Sequence, residues 1–404
     1  MQGLIEFITE DKNTHLEHLE DEIINNGSKG AKTSIEFLKS IKKMLQGGKG
    51  GSNVSVKWDG APAIFAGTNP ENGRFFVGTK SIFNATPKIN YTVSDISRNH
   101  GGALADKLAV ALKYLPKLGI KNVLQGDLLF TDDKKSAVVN GERSIVFTPN
   151  TITYAVPATS VDMYNRIRAA KIGIIFHTSY SGKTMRGLKA SFGASVGGLR
   201  QNRNVFFDDA RYKQAQDPGF SKGEEKRFDA TIRMAEGSAY KAGAFIDKIK
   251  KDSGPLSLGV QLKTFFNTYI RSGTKIGNAK VLANNFEVFF RDRLKKEIDG
   301  KKQEKTKEKY KEILEAGMKI LRPNRQGLYF AIATYITLQT AKSLLLSKLN
   351  QIQSIGSFMR TSTGYKATSP EGYVAINKGN AVKLVDRLVF SQANFNVAKD
   401  WVRG

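Results

Sequence analysis

The chain of 404 residues contains no cysteine and only four histidines. Without cysteine, disulfide bonds, thiol catalysis and cysteine-ligated zinc are all excluded. The histidines at positions 15, 18, 100 and 177 are too widely scattered for their spacing to predict a zinc site. Because disulfides belong to oxidising compartments, a chain without cysteine suits the cytoplasm, and we expect a cytoplasmic protein.

Long apolar runs are also missing. The most apolar stretch, residues 328–338, is interrupted by Thr334 and Thr337 and is followed by Lys342. This pattern predicts a buried helix of a globular domain, since a membrane span needs about 20 predominantly apolar residues. The sequence shows no signal peptide and no lipidation motif. We therefore expect no membrane association.

Acidic residues are few relative to basic ones. The 37 Asp and Glu residues face 63 Lys and Arg residues, which gives a formal net charge of +26. So large an excess of positive charge favours a polyanionic partner such as nucleic acid. An anionic membrane surface is the alternative, but no membrane-binding segment supports it. The length predicts one large domain or two to three of ordinary size.

One stretch, residues 54–60, places a single lysine at the end of a strand. Val54 and Val56 alternate with polar residues, and the pattern ends in Lys57 just before an Asp-Gly turn. A lysine amine in water has a pKa of about 10.4, but burial and nearby cations can lower that pKa and make the amine a nucleophile. The same pattern also fits an exposed hairpin corner. The stretch alone leaves both interpretations open.

The four residues Lys57-Trp58-Asp59-Gly60 resemble KxDG, the nucleophile motif of the covalent nucleotidyltransferase superfamily. That superfamily contains ATP-dependent polynucleotide ligases and messenger-RNA capping enzymes. Its further motifs have counterparts in the same order at residues 79–81, 123–129, 171–177, 370–376 and 381–385. Each motif is short, so the specificity of the resemblance lies in their order. The resemblance covers roughly residues 50–180 and 365–390.

The resemblance implies a role for each matching residue. Lys57 would be the nucleophile that forms a lysyl-AMP, and Phe176 would stack on the adenine ring. Asp127 and Glu371 would bind the ribose or the metal ion. The implied nucleotide-binding set is Val56, Lys57, Asp59, Gly60, Lys80, Asp127, Phe176, Glu371 and Lys383, with Lys80 and Lys383 on the phosphates. The implied cofactors are ATP and Mg²⁺ or Mn²⁺.

The chain departs from the family pattern at three positions, one of which is Asp127, where glutamate is more common. Lys80 stands where an arginine is usual, and Arg74 is the alternative for that role. Val385 occupies the position of a second lysine in the fifth motif. The missing charge could come from either Lys378 or Arg387, and the sequence does not choose between them.

The resemblance also implies the fold. We expect an α+β protein with an antiparallel-sheet nucleotidyltransferase core of the ATP-grasp-like adenylation type and a large inserted helical domain. No C-terminal OB barrel is expected, because only 21 residues follow Lys383. The predicted organisation is an N-terminal helical segment at 1–50, an adenylation domain at 51–182 and 362–404, and a basic loop plus inserted helical domain at 183–361.

Local patterns predict several further elements. Apolar periodicity indicates a helix over residues 14–24 that stops at Asn26-Gly27, and a second helix that starts with a capping box at Thr33. Turn residues at 68–73 predict a hairpin between the flanking strands. Strands are also expected at 123–129, 145–147 and 152–156, and helices at 103–115 and throughout 224–349.

Residues 183–203 carry five cations and no carboxylate, and glycines separate the cations. The five are Lys183, Arg186, Lys189, Arg200 and Arg203. A flexible loop with this charge suits contacts with a phosphate backbone, which supply most of the sequence-independent affinity for nucleic acid. We therefore predict that these residues, together with Arg74, bind nucleic acid. A disordered surface loop is the alternative.

The sequence as a whole favours an ATP-dependent DNA ligase that seals nicks between a 5′-phosphate and a 3′-hydroxyl in duplex nucleic acid. Its size is typical of a virus-encoded enzyme, so the host cytoplasm of a phage is one setting. We expect a monomer. An RNA ligase remains an alternative, and so does a non-catalytic nucleic-acid-binding protein with a decayed nucleotidyltransferase core. The absence of an OB barrel disfavours a capping enzyme.

Overall fold

The protein combines three β-sheets with a bundle of long helices. A computed structural model describes residues 16–46, 52–210, 219–250, 254, 256–350, 356–361, 364–367, 371–377 and 380–388. The predicted α+β class is confirmed, and no sheet in the described residues closes into a barrel. Within these residues, no helix is long and apolar enough to cross a membrane.

The largest sheet has six strands in the order β10-β8-β4-β2-β3, with β9 paired to β8. Its strands are β2 Ala63–Thr68, β3 Phe75–Gly78, β4 Val123–Phe130, β8 Ile172–Ser181, β9 Lys189–Phe192 and β10 Val205–Asp209. All pairs are antiparallel except β10 with β8. The β2–β3 hairpin, β4 and β8 confirm the predicted strands. Turn residues predicted the hairpin and apolar runs predicted the other two strands, most of whose residues are buried.

One face of this sheet is covered by two helices, α2 (Val93–Asn99) and α3 (Gly102–Tyr114). A capping box between Thr92 and Asp95 starts α2. Buried residues of α3, such as Leu108, form one cluster with Ile174 and Phe176 of β8. The position of these helices therefore decides which side chains of the strands are core.

A second sheet has five antiparallel strands in the order β12-β11-β7-β6-β5. Its strands are β5 Lys135–Val139, β6 Glu142–Phe147, β7 Thr153–Pro157, β11 Gly356–Thr361 and β12 Gly364–Ala367. Helix α4 (Val161–Ala169) contacts β6 and β7. The predicted pair β6 and β7 is confirmed.

The third sheet joins distant parts of the chain. Strand β1 (Ser52–Lys57) pairs antiparallel with β13 (Gly372–Asn377), and β13 pairs antiparallel with β14 (Asn380–Val385). The register sets Lys57 opposite Gly372, and Gly372 opposite Val385. The nucleophile motif and the two late motifs, which are far apart in the sequence, thus lie on or beside neighbouring strands of one sheet.

Six long helices of the described residues form the bundle. They are α1 Glu22–Leu45, α5 Lys222–Lys250, α6 Leu258–Arg271, α7 Ala279–Asp299, α8 Glu304–Leu321 and α9 Arg325–Leu349. Buried residues of α1, α5 and α9, among them Leu38, Phe228 and Leu345, share one cluster with Tyr373 of β13 and Leu384 of β14. The N-terminal helix is therefore part of the bundle, and this bundle packs directly on the three-stranded sheet. Residues on both sides of the predicted boundary near residue 50 belong to this cluster, and the division into domains stays a prediction.

The helix predicted over residues 14–24 has the wrong start, and its residues 14 and 15 lie outside the described ones. A short 3₁₀ turn at Leu19–Asp21 leads into α1, and the predicted stop at Asn26-Gly27 coincides with non-helical backbone at Gly27, beyond which α1 resumes. Gly27 has φ +61°, and a Cβ there would lie 2.2 Å from a carboxylate oxygen of Asp247. Ser28 donates two hydrogen bonds to the same carboxylate, at 2.9 and 2.6 Å. Packing against α5 thus stabilises the kink at Gly27 between the two parts of α1.

The segment at 183–203 is more ordered than predicted. Its residues 189–192 form β9, the side chains of Met185 and Leu188 are buried, and β10 follows on the same edge of β8 as β9. The strands of the six-stranded sheet therefore continue to Asp209, past the predicted boundary at 182. Sequence patterning missed these strands, which have only four and five residues.

Candidate functional site

The side chain of Lys57 lies at the end of β1, next to the residue that precedes β13. Its amine forms an ion pair with the carboxylate of Glu371, and its side chain keeps 27% of its surface exposed. The Val56 N–H donates a 2.7 Å hydrogen bond to the Ala210 carbonyl, which fixes the strand end against the six-stranded sheet. A single accessible amine is therefore held on a rigid element.

The aspartate of the motif acts as a structural acceptor. Asp59 is 3% exposed, and its carboxylate accepts four hydrogen bonds of 2.7 Å from Asn150, Thr151 and Ile152. Its own N–H donates to the Tyr154 hydroxyl at 2.7 Å. With both oxygens engaged, Asp59 fixes the turn after Lys57 and offers little to a ligand. The predicted role in nucleotide binding is therefore indirect.

Gly60 allows the turn to approach β4. A Cβ at this position would lie 2.5 Å from Cβ of Asp127 and 2.9 Å from the carbonyl oxygen of Leu128. Only glycine fits so close an approach without displacing the backbone. The Ala61 N–H completes the contact with a 3.0 Å hydrogen bond to the same carbonyl. The two C-terminal residues of KxDG thus position the third-motif residue, Asp127, beside the turn that carries Lys57.

Two carboxylates, Asp127 and Glu371, belong to this site. Burial raises the pKa of Glu371, an effect that Lys57 opposes and that Asp59 and Asp127 reinforce. Asp127 is half-buried, and one of its oxygens lies 3.7 Å from Nε2 of His177. Within the described ranges, no three His, Asp or Glu side chains cluster closely enough to hold a metal by themselves. Two oxygen ligands suit Mg²⁺ or Mn²⁺ that is shared with substrate phosphates.

A second cation, Lys383 of β14, lies near Lys57. Its Cα is paired across β13 with Val374, which pairs in turn with Ser55, so the alternation sets Lys383 on the same face as Lys57. Burial, and after it the charge of Lys57, lower the pKa of Lys383. The Lys383 N–H donates to the Glu17 carbonyl at 2.8 Å, which fixes this edge strand. The first and fifth motifs therefore contribute lysines to one face of one small sheet, and the fourth contributes Glu371, which contacts Lys57 from just before β13.

The position of the missing second lysine is now defined. Val385 is 3% exposed and lies on the same rung as Gly372 and Lys57. Of the two residues that could replace its charge, Lys378 lies outside the described residues. Arg387 is buried and donates to Asp21, Tyr335 and Asn267 at 3.1, 2.6 and 2.5 Å. Arg387 is therefore committed to a structural network and does not supply the charge.

Phe176 does not occupy the position predicted for it. Its side chain is 0% exposed and belongs to the core beneath α3. Strand alternation explains the difference, because Ile175 is the residue opposite Asp127, so Ile175 and His177 share the face of Asp127. Phe176 points to the other face and cannot stack on a nucleotide while it remains in the core. The ring on the site face is the imidazole of His177.

Lys80 and Arg74 lie on the exposed surface around the β2–β3 hairpin. Lys80 opens a short 3₁₀ helix, Lys80–Phe83, and the Arg74 guanidinium lies 4.4 Å from the ring centre of Tyr91. In the described part of the chain, no hydrogen bond or ion pair joins either side chain to Lys57, Asp127 or Glu371. Their predicted contact with phosphate or a nucleic-acid end stays a prediction.

All five cations of segment 183–203 are exposed. They are Lys183, Arg186, Lys189, Arg200 and Arg203. None of them forms an ion pair with a carboxylate of the described residues. They lie around β9 and the loops that flank it, and their charge is available to an anionic partner.

The match to known families covers almost the whole chain. The model of a family of unknown function, DUF6267, matches residues 13–399. The chain belongs to this family. No curated protein and no solved structure matches it. The shared family therefore spans the sheets and the bundle together.

Two histidines of the site region were missed by sequence reasoning. Had the pairing of β8 with β4 been known, the alternation of side chains along β8 would have placed His177 on the same face as Asp127. His18 forms a parallel bridge with Lys383, and burial, followed by the charge of Arg387 and other cations, lowers its pKa well below the usual range. No sequence signal indicated His18, since it was assigned to the helix predicted over 14–24.

Proposed function

We propose that this chain is an ATP-dependent polynucleotide ligase that forms a covalent AMP adduct on Lys57 and seals nicks in duplex DNA. One observation carries the proposal: residues of four motifs that are far apart in the sequence meet around Lys57. Glu371 contacts the Lys57 amine, Lys383 shares its sheet face, and Asp127 lies against Gly60 of the same motif. This combination supplies a nucleophile, two carboxylates and a second cation in one place.

In the first step, the unprotonated Lys57 amine attacks the α-phosphorus of ATP. An N–P bond forms, the bond from the α-phosphorus to the bridging oxygen breaks, and pyrophosphate leaves. The nucleophile must lose a proton, and Glu371 is in direct contact with it. A carboxylate whose pKa is raised by burial is a better proton acceptor than an ordinary one. Lys383 would stabilise the charge on the phosphates.

Asp127 and Glu371 would hold the divalent ion that this chemistry uses. Bound there, the ion would neutralise phosphate charge and orient the triphosphate. Oxygen ligands from two carboxylates, completed by phosphate and water, match the preference of Mg²⁺. Asp127 is the part-exposed member of the pair and Glu371 the buried one.

In the two later steps, AMP passes to a 5′-phosphate and a 3′-hydroxyl then displaces it. Both steps require a nucleic-acid end at the same site. Cations must hold that end there, because its phosphates repel one another and the phosphate of AMP. The exposed cations of segment 183–203 and the net charge of +26 favour such a partner. The choice of DNA over RNA rests on this excess charge and on the helical bundle. Sealing rates on all-DNA, hybrid and single-stranded RNA substrates would test it, and a preference for single-stranded RNA would replace DNA with RNA in the proposal.

The proposal is tested by incubation with α-labelled ATP and Mg²⁺ followed by a denaturing gel. We expect a labelled protein band that is absent in Lys57→Ala and present in Lys121→Ala, a control that removes an exposed lysine away from the site. α-Labelled GTP runs in parallel, because a band from GTP alone would indicate capping chemistry. Pretreatment of each protein with pyrophosphate removes any AMP that is already bound before labelling. No band from either nucleotide, or equal labelling of Lys57→Ala, would refute the proposal and favour a non-catalytic binding protein.

A further inference from the structure

The bundle contains an open groove between α7 and α8. The groove has a volume of about 680 Å³, and its lining residues are Arg291, Lys295, Leu314, Glu315, Met318, Lys319, Arg322 and Pro323. Four of these residues are cationic and one is acidic. The floor is apolar where Leu314 and Met318 contribute. A groove with cationic sides and an apolar floor is shaped for an extended anionic ligand.

A glycine explains why the groove is there. Gly317 of α8 lies against Phe290 of α7, and a Cβ at Gly317 would lie 2.4 Å from the ring. The two helices therefore approach closely at this level, with Met318 and Leu321 buried beside the contact. Close approach fixes the separation of the two helices, and so the spacing of the cations on either side of the groove.

Three of the groove cations differ from three nearby lysines of α8 and its preceding turn. Lys301, Lys307 and Lys311 each form an ion pair with a glutamate three or four residues earlier in the chain, at 3.0, 2.6 and 3.1 Å. Lys295, Lys319 and Arg322 are exposed and form no ion pair with a carboxylate of the described residues. Lysines neutralised by their own helix contribute little to an external anion, whereas unpaired ones contribute fully. The alternating Lys and Glu residues of this region do not show from the sequence which lysines are ion-paired.

We propose that this groove, with Lys295, Lys319 and Arg322 as its phosphate contacts, binds the backbone of the duplex on which the protein acts. The choice of nicked duplex DNA as the partner rests on the proposed function, while the groove itself is independent of Lys57. Cations spaced along a groove suit the regular phosphates of a nucleic-acid backbone better than a single small anion. The inserted bundle thereby acquires a role, which is to hold the duplex while the sheet site acts on its nick.

The test compares two variants with the same loss of charge. One variant carries Lys295→Gln, Lys319→Gln and Arg322→Gln; its control carries Lys301→Gln, Lys307→Gln and Lys311→Gln on neighbouring, ion-paired positions. Binding to a fluorescent duplex with a central 5′-phosphorylated nick is followed by anisotropy over a range of salt concentrations. Thermal unfolding of both variants checks that the fold is intact.

We expect the groove variant to bind at least about tenfold more weakly than wild type at low salt. Its plot of log affinity against log salt should be shallower by about 0.9 per lost contact, and so by about 2.7 in all. The control variant should stay within about twofold of wild type. Equal weakening of both variants would show that only net charge matters and would overturn the inference. Unchanged binding by the groove variant, or no binding of the duplex by wild type, would overturn it too.

Covalent labelling separates this inference from the proposed function. Both triple variants should form labelled protein from α-labelled ATP as fast as wild type, because the groove lies on the bundle and Lys57 on the sheet. If labelling fails in wild type while the groove variant still loses duplex affinity, the ligase proposal falls and the groove stands. If wild type is labelled and the groove variant binds the duplex normally, the ligase proposal stands and the groove inference falls.

Discussion

Two lysine–glutamate pairs in the described part of the chain have the same chemistry and different surroundings. In the first, Lys342 of α9 contacts both oxygens of Glu20 at 2.7 and 2.8 Å, with side chains 3% and 0% exposed. In the second, Lys57 contacts Glu371, with side chains 27% and 10% exposed. The first pair is closed to solvent, while the second keeps part of its amine open.

The neighbours of the two pairs differ as well. Beside Glu20, the Asp21 carboxylate accepts hydrogen bonds from Arg387 and Tyr335, and these buried bonds hold the N-terminal segment against the bundle. Burial disfavours the charge of Glu20, but Lys342 and Arg387 outweigh it and lower its pKa. At Glu371, burial prevails and the pKa is raised. An ion pair closed to solvent supports the fold, whereas an accessible one is available for chemistry.

The largest effect on stability is expected from breaking the closed pair. Glu20→Ala leaves the Lys342 ammonium buried without its partner and should lower the free energy of unfolding by about 3–5 kcal/mol. The double variant Glu20→Leu with Lys342→Met removes both charges and should recover most of that loss. Urea unfolding measures both. If Glu371→Ala costs as much as Glu20→Ala, the distinction between the two pairs fails.

At the open pair, the main effect should be on chemistry. Glu371→Gln keeps the shape of the side chain but can neither accept the Lys57 proton nor bind a metal as a carboxylate. We expect the rate of covalent labelling by ATP to fall about 10²-fold, or about 2.7 kcal/mol in activation free energy. The free energy of unfolding should change by about 1 kcal/mol or less, because the buried Glu371 carboxylate is poorly stabilised in its charged form. Quench-flow labelling and urea unfolding of the same protein provide both numbers, and normal labelling would remove Glu371 from the mechanism.

A smaller effect is expected at the turn that joins the site to β4. Gly60→Ala puts a methyl group 2.5 Å from Cβ of Asp127 and 2.9 Å from a backbone oxygen. Overpacking of this kind costs roughly 1–3 kcal/mol and should also displace Asp127 from the site. Gly237→Ala is the matched control, since a Cβ there meets nothing within 4 Å. Labelling that slows in Gly60→Ala and not in the control would tie the glycine to the site.

The smallest effect concerns pH and the edge strand that carries Lys383. Burial and the charges of Arg387, Lys342, Lys383 and Lys57 lower the pKa of His18, so the folded state keeps this ring neutral. The unfolded chain binds a proton near pH 6.5 while the folded chain does not, so stability falls as pH drops below about 6.5. The slope contributed by one such group is at most about 1.4 kcal/mol per pH unit. In His18→Gln this contribution to the slope of unfolding free energy against pH should vanish. Urea unfolding between pH 7 and pH 5 measures the slope, and a slope equal to that of wild type would contradict the prediction.

Local patterns predicted the elements with a strong apolar signal. Mostly apolar runs predicted β4 and β8, and helical periodicity predicted α3 and the helices of the bundle. The short strands β9 and β10 were missed. Short-range patterns cannot register these features, because their stability comes from pairing or packing with a distant segment.

The order of the motifs, read from the sequence alone, determined which residues to compare: Lys57, Asp127, Glu371 and Lys383. Only the tertiary structure decided that Lys57 and Lys383 share a sheet face, that Glu371 contacts Lys57, that Arg387 is committed elsewhere, and that His177 and not Phe176 faces the site. The physical reason is that a strand has two faces. Sequence alternation separates the side chains into two sets, but the helices that cover one face decide which set is core and which remains open to a ligand.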